Sequence, residues 1–135
     1  MRSVLPAAGA YAAAIFAAGF VLGSLRVAVL APRLGEVVAV LTEVPVMLAL
    51  SYLAARSAVG RFGVPAVAAV RLAMGALAFA LLMAAEVALG LWGFGRSLAE
   101  VAAGTASAAG LIGLAGQVGF GLMPLILLAG RGAGR

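Results

Sequence analysis

Residues 101–130 read VAAGTASAAGLIGLAGQVGFGLMPLILLAG, thirty residues without one charged side chain. A hydrocarbon core of about 30 Å is crossed by about 20 helical residues. A helix predicted over 103–129 is therefore longer than one crossing and either tilts or starts in the interface. The rest of the chain repeats the pattern. It has 135 residues, 66% of them hydrophobic and 10% charged, and its mean hydropathy is +1.25. Soluble domains carry about half apolar and about a quarter charged residues, so this composition supplies too little polar surface to face water. Three further spans are predicted, over 6–31, 37–55 and 66–92. Pro6 suits an early turn, Pro32 closes the first span, Glu36 and Arg56 bound the second, and Trp92 lies at an interface. The expected fold class is an all-α integral membrane protein, a single domain over 1–135 forming an up-down-up-down four-transmembrane-helix bundle. The connections 32–36, 56–65 and 93–97 are short enough to join neighbours. The first segment, with Arg2 and a long apolar run, is read as a retained helix rather than a cleaved leader.

Missing residue types exclude much chemistry. The chain has no Cys, His, Lys, Asp or Asn. Disulfides, thiolate or imidazole metal ligation, a Ser-His-Asp triad and a lysine Schiff base therefore lack their atoms. No metal and no covalent or His/Cys-ligated cofactor is expected, and a non-covalent apolar ligand such as a lipid or quinone stays open. No catalytic residue stands out. The net charge of +5 does not point to nucleic acid, because the arginines are dispersed at segment ends, where membrane topology and anionic lipid require them. The side with Arg2, Arg56, Arg61, Arg131 and Arg135 outweighs the side with Arg33 and Arg96, even with Arg26 added if it snorkels outward. Both termini are thus expected in the cytoplasm, with a bacterial inner membrane as the setting and membrane lipid as one partner.

Three charges fall inside predicted spans. Arg26 precedes Pro32 by six residues, Glu43 follows Val37 by six, and Glu86 precedes Trp92 by six. At a rise of about 1.5 Å per residue, all three lie roughly 9 Å below the same face. Arg26 shares its side of the helix with Gly19 and Gly23, and Glu86 shares its side with Gly75, Phe79, Leu82 and Gly90. Small residues on those sides favour close helix approach. Arg26 is expected to pair with Glu43 or Glu86, which leaves one acid able to hold a proton or cation. Arg71, six residues after Pro65, is expected to snorkel to the near face or to serve as a polar contact. Gln117 is the only strongly polar side chain near the middle of the fourth span and can bond a glutamate or ligand. Pro45 and Pro124 are expected kinks that free the carbonyls of Leu41 and Phe120. Arg96 and Glu100 have the spacing of a helix-surface pair, and Tyr11 and Tyr52 that of interfacial anchors. The small residues at 104, 107, 110, 113, 116 and 119 wind around the fourth helix and permit close packing from several directions.

The first span carries Arg26 and no acid, which separates the chain from small multidrug transporters, whose dimers use a glutamate there. The lack of Asn separates it from dual-topology fluoride channels. Two functions rank almost level: transport of a proton, ion or small solute by an oligomer through the Arg26–Glu43–Glu86 cluster, and service as an accessory subunit of a larger membrane complex or as a binder of an apolar ligand. An intramembrane lipid-acting enzyme ranks third, because polar groups are so few.

Overall fold

A computed structural model describes the backbone of residues 2–133 and the side chains of residues 2–130. Arg131 and Arg135, which enter the arginine count, have side chains outside the described residues. All regular structure among the described residues is helical: α1 (Val4–Leu34), α2 (Glu36–Phe62), α3 (Ala68–Gly93), α4 (Leu98–Ala106) and α5 (Ala108–Ala133). Helices α1, α2, α3 and α5 are each long and apolar enough to cross a membrane.

Several boundaries differ from the sequence expectation, each for a local reason. Pro32 does not end α1. It lacks an N–H and its ring crowds the carbonyl four residues back, and the helix widens into a π turn over Arg26–Leu30, with the Ala31 N–H bonding the Arg26 carbonyl. The helix then runs on to Leu34 and stops at Gly35, whose φ of 83° lies outside helical space. Glu36 begins α2 directly, a carboxylate at the positive end of the helix dipole. Arg56 does not end α2 either. The helix continues past Arg61 to Gly63, a left-handed cap (φ 62°, ψ 43°) whose N–H bonds the Val59 carbonyl. The expected fourth span is broken at Ser107, which is extended. Its hydroxyl accepts from the Gly110 N–H at 3.0 Å and so caps α5. Ser97 caps α4 in the same way, accepting from the Glu100 N–H at 3.1 Å. The Arg96–Glu100 pair does not form, because Arg96 precedes α4 and lies over the Phe94 ring instead.

Helix α1 packs on α2 and α3, and α5 packs on the same two. Thus α1 and α5 face each other across the bundle, and α2 and α3 are not principal packing neighbours despite their short link. Glycines set the closest crossing. A Cβ at Gly75 of α3 would sit 1.8 Å from the Gly121 carbonyl oxygen of α5, so the two backbones touch. Gly116 and Gly119 turn toward α2, against Val44 and Leu48. Gly113 meets nothing, and the side of Gly19 and Gly23 makes no tight approach. The main buried cluster fills one end. It comprises Ala7, Ala8, Tyr11 and Ile15 of α1, Ala55, Ala58 and Val59 of α2, Met74, Ala78 and Leu82 of α3, and Phe120 and Met123 of α5. Outside it, Val21, Val27, Leu53, Leu111 and Ile126 are exposed, as is Trp92 at 82%.

Candidate functional site

At the end away from the core the helices splay around a cleft of about 880 Å³, lined by residues of α1, α2, α3, α4 and α5. The two π turns border it, at Arg26–Leu30 and Leu89–Gly93. Such turns change which way the following side chains point and recur beside functional sites.

Arg26, Glu43, Glu86 and Gln117 all line this cleft. Arg26 donates from Nε to Glu43 Oε2, joining α1 to α2. The guanidinium folds back toward Gly23, where a Cβ would sit 3.8 Å from its Nη2. Across the cleft Gln117 Nε2 donates to both carboxylate oxygens of Glu86, at 2.8 and 2.6 Å, joining α5 to α3. One acid is therefore neutralised by an arginine and the other is held by a neutral amide. Glu36 and Arg96 stand at the cleft as well, and Ser24, Ser51, Thr105 and Ser107 add hydroxyls. The walls between these groups are apolar, with Phe16, Phe20, Met47, Met83, Leu114 and Phe120.

The cleft ends on a floor that the sequence reading missed. Tyr11 is 1% exposed, not an interfacial anchor. Its ring stacks on Phe120 with centroids 4.2 Å apart, and its hydroxyl donates to the Phe120 carbonyl at 2.7 Å. That carbonyl is the one Pro124 deprives of its helical N–H. The freed acceptor was legible from Pro124, whereas a hydroxyl on the opposite helix was not. Ser51, also buried, stands beside Tyr11.

Arg71 does not snorkel. It is 1% exposed. Its guanidinium donates to the carbonyls of Pro65 (3.0 Å), Pro124 (3.2 Å) and Val64 (3.5 Å), tying α3 to the loop before it and to Pro124 within α5. It closes the packed end and does not line the cleft. Pro45 and Leu41 also lie off the cleft, so the carbonyl freed by Pro45 adds nothing to the site. Among the described residues no group of three or more acids, histidines or cysteines could hold a metal. Comparison of the chain with protein-family models, with curated proteins and with solved structures finds no match.

Proposed function

We propose that the chain is an up-down-up-down membrane protein that moves a proton, ion or small solute through the cleft, as an oligomer. The exposed aliphatic side chains on all four long helices support membrane insertion, since acyl chains would give them the contacts that water cannot. The arginine distribution supports a cytoplasmic location for both termini in a bacterial inner membrane. The packed end then lies toward the cytoplasm and the cleft toward the other side.

One observation carries the transport reading: a chain only 10% charged gathers three carboxylates and two guanidiniums at one cleft. Ionisable groups held within a membrane are costly and mark pathways for protons and ions. Glu43 is committed to Arg26, so Glu86 is the group left to exchange a proton or cation. The cleft ends at one side on the stacked Tyr11 and Phe120 rings, as expected for a carrier resting with its site open to one side. A single bundle of this size leaves the cleft partly unwalled, and a second copy would complete it.

The test is flux into liposomes containing the purified protein, with an internal pH-sensitive dye and an imposed ion gradient. Glu86→Gln should abolish protein-dependent flux while the melting temperature stays close to that of the unsubstituted chain. Equal flux from Glu86→Gln and Glu43→Gln, both at the unsubstituted level, would overturn the proposal.

A further inference from the structure

We infer that the cleft takes an organic monocation with an apolar body, its charge at Glu86 and its body against Phe16, Phe20, Met47, Met83 and Phe120. The inference rests on the transport reading and names the class of solute. Volume gives the first argument. A bare inorganic ion needs a small fraction of about 880 Å³, whereas clefts of roughly 300–1,000 Å³ are the size that holds organic ligands.

Charge gives the second argument. The lining carries Glu36, Glu43 and Glu86 against Arg26 and Arg96. Arg26 is engaged by Glu43, and Arg96 lies over Phe94 with its guanidinium carbon 5.5 Å from the ring centre. The amide of Gln117 orients the Glu86 carboxylate without cancelling its charge. In its ionised form Glu86 repels an anion and gains nothing from a neutral solute, whereas a cation can take the place of the proton that Glu86 otherwise holds. A monocation restores balance.

The walls give the third argument. Aromatic rings attract a cation to their faces, and methionine side chains adapt to irregular apolar shapes. Both residue types stand between the mouth and the Tyr11–Phe120 floor, where an apolar body would lie with its charge at Glu86.

Equilibrium binding to the detergent-purified protein tests this without requiring flux. The probes are tetraphenylphosphonium and tetraphenylborate, of nearly equal shape and opposite charge, titrated by calorimetry. Tetraphenylphosphonium should bind saturably and tetraphenylborate should not. Glu86→Gln should weaken the cation by about tenfold or more, the loss of one charge contact. Gly113→Leu serves as a second variant that leaves the carboxylate intact. Gly113 lines the cleft, and a Cβ there meets nothing within 4 Å, so leucine should occupy ligand space and weaken binding without lowering the melting temperature. Equal binding of both probes, absence of saturable cation binding, or unchanged affinity in both variants would overturn the inference. Glu86-dependent proton flux without cation binding would overturn it and leave the transport reading standing. Cation binding without flux of any probe would do the reverse.

Discussion

A guanidinium at position 26 and a carboxylate at position 43 join two helices, so removing one strands the other. Arg26→Leu should lower stability by roughly 1–3 kcal/mol, the usual cost of leaving a partly buried polar group unsatisfied. Adding Glu43→Gln should recover most of that loss, because the stranded charge disappears with its partner. Adding Glu86→Gln instead should recover nothing, since Glu86 is held by Gln117. Thermal unfolding of the four proteins in one detergent measures the rescue, and equal rescue by either glutamine would refute the assigned pairing. The residues of this cluster were legible in the sequence, because a fixed helical rise places Arg26, Glu43 and Glu86 at one level. The choice of partner was not, since it depends on how each helix is rotated about its axis, and packing sets that rotation. Arg71 shows the same limit from the other side. Its distance from Pro65 placed it near an end of the bundle, but nearness to an end is not exposure when the carbonyls of Val64, Pro65 and Pro124 cover the guanidinium.

Helix α5 carries glycines on every side, and its neighbours use them unequally. A methyl at Gly75 would meet the Gly121 carbonyl oxygen at 1.8 Å, a contact no side-chain adjustment relieves because the obstacle is backbone. Gly75→Ala should therefore push α3 off α5 and cost about 3 kcal/mol or more, at the severe end of overpacking. Gly113→Leu should be nearly neutral, although it adds three more carbons. The comparison is read as folded yield by size-exclusion chromatography and as melting temperature, and a stable, monodisperse Gly75→Ala protein would remove the close crossing. Spacing alone put Gly113 and Gly116 on an equal footing. The distinction arises because α5 bears on α2 through Gly116 and Gly119 and on α3 through Gly121, while Gly113 lies where the helices have parted. Helix ends were legible less well than the number of long apolar helices. Arg56 and Pro32 read as boundaries, yet the first sits within α2 and the second is absorbed by a π turn. The residues that do stop the chain are Gly35 and Gly63, whose positive φ values lie outside helical space.

The whole molecule is asymmetric from end to end, with an alanine-rich packed half and a splayed half that holds Arg26, Glu43 and Glu86. Alanine at 7, 8, 12, 55, 58 and 78 lets the helices converge at one end, whereas at the other phenylalanine, methionine and charged side chains line the cleft between them. The natural absence of cysteine makes this asymmetry measurable by single thiol substitutions. Ser24→Cys lines the open cleft, Ser51→Cys lies at its floor beside Tyr11, and Ala78→Cys lies in the packed core. A small membrane-impermeant maleimide added outside intact cells should label position 24 rapidly, position 51 slowly and position 78 only after unfolding. The order follows from thiol access, since the first side chain is exposed and the other two are buried. The sidedness is the one proposed from the arginine distribution, with the packed end toward the cytoplasm. Labelling of position 24 from the inside of inverted vesicles, but not from outside cells, would reverse the orientation while keeping the cleft. Equal labelling at 24 and 78 in the folded protein would mean that the two halves are equally open, and the one-sided carrier reading would fall with the asymmetry that supports it.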